Sequence, residues 1–317
     1  MKQNKHKFLT VAALMTGTTV AVHFINRTIA AAAQLKQILH TSNDHYFEWR
    51  FGNIYYTKKG TGSPVLLIHD TLPGASGYEW NKVEDELAID HTVYTIDLLG
   101  CGRSDKSSIT YTNFVYVQMI SDFIKKIIGK KTDVIASGFS GSFIVMACHN
   151  EKELFNKIMF VNPPDPDQLK QMPTRKDRVL KAALEIPVFG TLIYHMIVSR
   201  DNVTNLFIEK MYYNPFHVDN QLTDAYYEAA HRGGYYTRFM YSSFISKYMN
   251  INICRALESL DNSIYIVEGE AESNGRAITE DYCNFNPAIE VSVLGETKHF
   301  PHIEAPEAFL EQVNIFF

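Results

Sequence analysis

Cysteine is scarce. The 317 residues contain four, at positions 101, 148, 254 and 283, with no C-x-x-C and no Cys/His ligand spacing. That pattern excludes a disulfide framework and a structural zinc site. Basic charge is also in short supply, with 30 Lys and Arg against 35 Asp and Glu and a formal net charge of −5. Acidic residues are missing altogether from the first 43 positions, which carry five bases, so the remainder holds a net charge of −10. Such an acidic body lacks the basic surface that a phosphate backbone requires, and nucleic acid is excluded as a partner. Internal repeats and low-complexity tracts are absent. With 46% hydrophobic and 21% charged residues, the chain is neither disordered nor fibrous. Its length suits one large domain with an appendage.

What is present begins with an apolar terminus. Residues 8–25 (FLTVAALMTGTTVAVHFI) contain no Lys, Arg, Asp or Glu, follow Lys2, Lys5 and Lys7, and end at Asn26-Arg27. As a helix this stretch would span roughly 27 Å, close to a thin hydrocarbon core. It is read as an uncleaved membrane anchor, longer than the usual signal-peptide apolar run; cleavage at the small residues 30–33 is the rival reading. The lysines place the N-terminus in the cytoplasm and the body outside. No GxxxG is present to dimerise the span. The expected division is an anchor and linker at 1–43, a core at 44–164 and 259–317, and an inserted cap at 165–258.

The body alternates. Residues 46–50 and 53–57 are aromatic, alternating segments and read as a hairpin. Residues 64–69, 92–97, 133–137, 157–162 and 263–268 are short continuous apolar runs typical of strands buried on both faces, with a weaker one at 289–293. Helical patterns occupy 79–87, 111–128, 142–150 and 306–317. This order predicts an α/β fold with a mostly parallel sheet covered by helices on both faces. Residues 165–258 interrupt it with helical stretches rich in aromatics, including Phe207, Tyr226, Phe239 and Phe244. They predict a helical cap, with about a third of its aromatics lining a binding cavity.

Chemistry concentrates where strands end. The strand at 133–137 runs into Gly138-Phe139-Ser140-Gly141-Ser142 and then an apolar helix. A serine at a sharp strand-to-helix turn, flanked two residues away by small residues, is the pattern of a nucleophile elbow. The helix start supplies free N–H groups to a developing oxyanion. Ser142 departs from G-x-S-x-G, and a second register, Ala136-Ser137-Gly138-Phe139-Ser140, would put Gly138 at the apex and leave no nucleophile. His69-Asp70-Thr71 follows the first buried strand and Asp97-Leu98-Leu99-Gly100-Cys101-Gly102-Arg103-Ser104 the second. Near the C-terminus stands Lys298-His299-Phe300-Pro301-His302-Ile303-Glu304-Ala305-Pro306.

Together these segments resemble, in order and spacing over residues 44–317, the α/β-hydrolase fold superfamily in its serine-nucleophile branch. The resemblance implies Ser140 as nucleophile, His299 as general base with His302 as competitor, and an acid in the loop after residue 268. Glu272 matches the position of that acid; Glu268, Glu270 and Asp165 are alternatives. Backbone N–H groups of Thr71 and Gly141 would hold the oxyanion. Asp70 replaces the glycine usual after the histidine, setting a negative charge beside that site. Arg103 is expected to serve structure by pairing with an acid.

The expected function is a membrane-anchored serine hydrolase. It would cleave a carboxylic ester or similar acyl substrate with an apolar portion through a Ser-His-Glu triad. No metal or organic cofactor is implied. The alternative is a non-catalytic binding module of the same fold, and C–C bond cleavage by the same triad is a further variant. A serine at the apex argues against the branches that use aspartate there, the haloalkane dehalogenases and epoxide hydrolases.

Overall fold

The computed structural model describes the backbone of residues 2–41 and 44–317 and the side chains of 13–41 and 44–317. The first five residues of the expected apolar span therefore have no described side chains, and the expected boundary at residue 43 lies outside the described residues. Helix α1 (Lys2–Ala33) runs on through Asn26-Arg27, where the sequence suggested an end. From Val22 onward one face of it is docked: Val22, Asn26 and Ala33 are buried, and the Asn26 amide donates to the Val188 carbonyl. Among the described residues no single helix is long and apolar enough to cross a membrane.

The hairpin forms as expected from β1 (His45–Trp49) and β2 (Gly52–Lys59), with Gly52 at φ +142° closing the turn. The apolar runs become β3 (Ser63–Ile68), β4 (His91–Ile96), β5 (Thr132–Ser137), β6 (Phe155–Val161), β7 (Ile264–Gly269) and β8 (Glu290–Leu294). All eight strands join one sheet in the order β1-β2-β4-β3-β5-β6-β7-β8. It is parallel from β4 through β8, and β1 and β2 add an antiparallel edge.

Between the strands lie α2 (Glu84–Asp90), α3 (Asn113–Phe123) and α4 (Ser140–Asn150). The expected helix at 79–87 is instead a single tight turn, Gly77–Trp80, followed by α2. Successive side chains of a strand face opposite sides, so the run PVLLI divides in two. Leu66 and Ile68 pack with α3 and α4 through Tyr116, Ile120, Phe143 and Ile144. Val65 and Leu67 pack on the other face with Trp80, Leu87, Phe309 and Val313. Burial on both faces is why these strands read as unbroken hydrophobic runs.

Residues 165–258 contain no strand. They supply α5 (Pro166–Leu169), α6 (Arg175–Glu185), α7 (Phe189–Ile197), α8 (Arg200–Leu206), α9 (Asn220–His231), α10 (Thr237–Ile245) and α11 (Cys254–Ser259), the last extending one residue past the expected cap. Then come α12 (Gly275–Phe285), which the sequence reading did not anticipate, α13 (Pro301–Glu304) and α14 (Pro306–Phe316). Most of the cap aromatics are packing. Phe207, Tyr212 and Tyr226 form a cluster with Phe300 beneath the C-terminal loop, and Met240 joins the main core.

Candidate active site at the strand tips

The bend after β5 is made by Gly138, at φ +53°. Positive φ is the mark of the apex residue, and a glycine adopts it without the strain a side chain would suffer. Ser140 is already the first residue of α4; it is fully buried, and its hydroxyl donates to the His69 carbonyl at 2.6 Å. The expected nucleophile is therefore displaced by two positions from the apex, and the alternative register is the one adopted. Ser142 is likewise internal, its hydroxyl donating to the Phe139 carbonyl.

Moving the apex also moves the N–H groups. Gly141, expected in the oxyanion site, donates to the Gly138 carbonyl inside the turn. The residue after the true apex is Phe139, and its N–H points outward. The Thr71 N–H points at the same place as that of Phe139. Both groups are occupied by one acceptor: Asp70 Oδ1 receives the Phe139 N–H at 2.8 Å and the Thr71 N–H at 2.6 Å.

Asp70 fills the space a nucleophile would take. A Cβ built on Gly138 would lie 2.2 Å from Asp70 Cγ and 2.4 Å from its Oδ2. The second carboxylate oxygen lies 3.1 Å from His299 Nε2, and His299 Nδ1 lies 3.1 Å from Glu272 Oε2. His299 and Glu272 are thus brought together; Ser140 is not part of the group. Of the alternative acids, Glu268 accepts from Thr279, Glu270 from the Glu296 N–H, and Asp165 caps α5. His302 is fully buried, stacked on Trp80 with ring centroids 4.3 Å apart and with Nε2 3.4 Å from Glu79, away from the cleft.

Electrostatics follow from this order. Burial disfavours the charged imidazole of His299, but the hydrogen bonds and charges of Asp70 and Glu272 outweigh it and hold the pKa up at about 10. At neutral pH the array is carboxylate, imidazolium, carboxylate, with both ring nitrogens donating. The start of α4 adds its partial positive charge beneath Asp70.

Three supports fix the array. The His69 ring lies between Asp70 and Leu98, its Nδ1 bonded to the Asp70 carbonyl and its Nε2 accepting the Leu98 N–H. The Asp70 N–H donates to Glu79, which also accepts from Tyr226 of the cap. Asn162, at φ +44°, accepts the Gly269 N–H and donates to the Lys298 and His299 carbonyls, tying the end of β7 to the histidine loop. Sequence reasoning missed Asn162; its place one residue past a buried strand was the available signal. Arg103 pairs with buried Asp97 through Nε at 2.8 Å and Nη2 at 2.9 Å, the structural role expected.

The cleft over the array has a volume of about 330 Å³. Asp70, Gly138, Phe139 and His299 form its floor, and Phe244 and Ile278 supply apolar wall. Phe244 is the one residue of the cap's aromatic set that lines it. Among the described residues no group of His, Cys, Asp and Glu has metal-binding geometry.

An eight-stranded, mostly parallel sheet with these crossovers and with helices on both faces defines an α/β-hydrolase fold. Residues 65–312 match the model of the alpha/beta hydrolase family, and the chain belongs to that family. Over 133 residues it is 31% identical to 2-hydroxy-6-oxo-6-(2'-aminophenyl)hexa-2,4-dienoic acid hydrolase of Metapseudomonas resinovorans, covering 40% of this chain and 46% of that one. Over 109 residues it is 25% identical to a soluble epoxide hydrolase of Corynebacterium sp. (strain C12), covering 34% and 37%. The matched stretches thus span less than half of either relative. Among solved structures, a serine hydrolase involved in carbazole degradation superposes with a TM-score of 0.69 at 18% identity, covering 86% of this chain and 97% of that one.

Proposed function

We propose that this chain is a hydrolase whose attacking group is the Asp70 carboxylate, held over Gly138 in place of an elbow nucleophile, with His299 as acid and base and Glu272 as its orienter. One observation carries the reading: the carboxylate stands where an apex side chain would be, with one oxygen on two backbone N–H groups and the other facing the imidazole and the cleft. This replaces the Ser140 acyl chemistry expected from the sequence. It also removes the argument against aspartate-using branches, which rested on a serine at the apex.

A carboxylate attacking an ester would form an anhydride, less stable than the ester it came from. Attack on a saturated carbon that bears a leaving group forms an ester instead. Asp70 Oδ2 bonds to that carbon, the carbon–oxygen bond of an epoxide breaks, and the ring oxygen takes its electron pair and the proton of the His299 imidazolium. The ester is neutral, so one of the charges that held the proton on His299 is gone, and its pKa falls. Neutral His299 then removes a proton from water as the water oxygen bonds to Asp70 Cγ. The oxyanion forms at Oδ1, between the Phe139 and Thr71 N–H groups. Collapse breaks the alkyl–oxygen linkage at Cγ, the alcohol leaves with the proton from His299, and the new carboxylic acid returns its own proton to the imidazole. One water is consumed, and its oxygen remains in Asp70. The cleft wall carries Asp165, Glu268 and Glu272 and no Lys or Arg, which favours a neutral substrate over a carboxylate-bearing one.

Single turnover of a neutral aryl epoxide such as styrene oxide in ¹⁸O-water tests this. The label is expected in the Asp70 peptide, and the His299→Gln variant is expected to accumulate the alkylated peptide. Neither label nor adduct, in folded protein, would support the second reading, a binding module. The observation favouring that reading is that Asp70 itself saturates both oxyanion N–H groups.

The proposal includes a membrane contact by the start of α1, with the N-terminus cytoplasmic and the domain outside, supported by the apolar run and the lysines before it. The first docked residue of the helix is Val22, so a crossing by residues 8–25 requires the last turn of that run to leave the body. Protease treatment of intact cells tests it; a domain cut only after lysis contradicts the orientation.

A further inference from the structure

A second cavity, of about 700 Å³, lies between α1 and the cap and shares no lining residue with the cleft. Its size falls within the range of about 300–1,000 Å³ typical of small-molecule sites. Ala30 and Ala31 of α1 form one apolar wall, and Pro187-Val188 with Tyr235 and Tyr236 form the other. The charged and titratable groups of the lining, the two tyrosines aside, are of one kind: His23, Arg27, His195 and Arg238, with no carboxylate.

Two of these are buried without full satisfaction. His195 is 3% exposed and, among the described residues, neither ring nitrogen has a hydrogen-bond partner; its ring stacks on His231 at 4.7 Å. Arg238 is also 3% exposed. Its Nη atoms reach Thr191 Oγ1 and the Tyr235 and Glu185 carbonyls, its Nε has no partner, and among the described residues it makes no ion pair. The carboxylate whose charge reaches it, Glu185, is itself bonded to Lys181 and Ser242 and does not line the cavity; a buried cation without a direct ion pair is costly and favours an anion in the cavity. The rim is strained as well. Val188, a β-branched residue, is held at φ +66°, and its carbonyl is bonded to Asn26 of α1. Strain of this kind clusters at ligand clamps.

We infer that this cavity binds a long-chain fatty acid, with the alkyl chain between the alanine face of α1 and Pro187-Val188 and the carboxylate as counter-ion to Arg238 and partner to His195. Shape and charge agree on this occupant. A neutral alcohol of equal length would leave the guanidinium unpaired, and a cationic amphiphile would oppose it.

The test uses the full chain and the fluorescent probe 11-(dansylamino)undecanoic acid, displaced by palmitate, by 1-hexadecanol or by phosphatidylglycerol vesicles. Palmitate is expected to displace the probe at about tenfold lower concentration than the alcohol, an advantage of the size a charge-assisted contact supplies. Ala31→Trp, on an exposed face of α1, fills the cavity and is expected to weaken probe binding about tenfold or more. Arg238→Gln, which removes the guanidinium assigned to the carboxylate, is expected to narrow the gap between palmitate and hexadecanol in folded protein, and it keeps the test valid if the tryptophan variant does not fold. Equal displacement by acid and alcohol, displacement by vesicles alone, or undiminished binding in the folded Ala31→Trp protein would each overturn the assignment.

Discussion

Replacing Asp70 by Asn is the sharpest probe of the array, because it keeps the shape and removes one charge. The amide oxygen in Asp70→Asn can still accept the Phe139 and Thr71 N–H groups, but its NH2 takes the place of the oxygen that faces His299 Nε2 and can only donate to that nitrogen once it is neutral. What changes is His299. Its pKa of about 10 is held against burial by two carboxylates, each 3.1 Å from a ring nitrogen. An opposite charge at such range is worth about 1–3 pK units, or on the order of 1–4 kcal/mol at 1.36 per unit. Loss of the charge alone would bring His299 to between about 7 and 9, and loss of the accepted hydrogen bond lowers it further. The assay is a ¹³C-detected histidine titration, with His299→Gln assigning the resonance. The same linkage sets the stability profile. A histidine whose pKa rises on folding stabilises fully below its unfolded value of about 6.5, and the contribution is lost as pH rises through about 10. The wild-type advantage over His299→Gln in melting temperature should accordingly shrink from pH 6.5 to 10, and over a narrower interval in the Asp70→Asn background. A His299 titration that moves by less than half a unit would refute the claim that the Asp70 charge faces the imidazole.

Gly138→Ala sets a methyl 2.2 Å from the Asp70 carboxyl carbon at a left-handed position, so about 1–3 kcal/mol of stability should go. His299 should titrate lower, as in Asp70→Asn, because Asp70 is expelled; an unchanged titration would show that the carboxylate does not occupy that space. Arg103→Met strands Asp97, which is fully buried and whose pKa the guanidinium, working against burial, holds at about 2. Chemical denaturation should report a loss of about 3–5 kcal/mol. The stability Asp97 contributes is present above its unfolded pKa and vanishes as pH falls through about 2, so the wild-type advantage should persist across pH 5–8. Asn162→Ala releases three hydrogen bonds at the base of the histidine loop and should cost about 2–4 kcal/mol. In a turnover assay it should lower kcat more than it raises KM, since Asn162 lines the cleft but its amide oxygen and nitrogen are already bonded to the backbone that carries His299; a KM effect alone would argue against that role.

The scaffold was legible because its signals are local and redundant. Strands buried on both faces must be continuous apolar runs, and β3 to β7 are nearly where those runs lie. Glu272 and His299 were also within reach, one in the turn after β7 and the other just before the closing helices. The helix α12 was missed because its apolar residues are few and its polar face is broad. The apex of the turn was misread for a sharper reason. Small residues tolerate several registers, and Gly138-Phe139-Ser140-Gly141-Ser142 permits the bend at either of two places. Only backbone dihedrals separate them: the positive φ falls at 138. The aspartate at position 70 was visible as an anomaly. Its consequence was not, because it depends on where the carboxylate points.

That direction follows from the sheet. β3 and β5 are parallel neighbours, with Ile68 opposite Ala136. Two residues on, the same register sets Asp70 opposite Gly138, one strand spacing of about 4.8 Å away. An aspartate side chain is long enough to cross that gap, and a glycine at the apex is the residue that leaves room for it. The two positions are therefore complementary. The tip of β5 carries no side chain and the tip of β3 supplies the carboxylate that fills the space, beside the N–H groups of Phe139 and Thr71 and the imidazole of His299. The pairing makes a reciprocal test. Asp70→Gly with Gly138→Asp returns the carboxylate to the elbow without changing the composition of the site. If the carboxylate's place rather than its strand of origin sets the chemistry, the double variant should restore the part of the raised His299 titration that Asp70→Gly alone removes. Failure of the folded double variant to do so would show that the loop after β3 contributes something besides the carboxylate it carries.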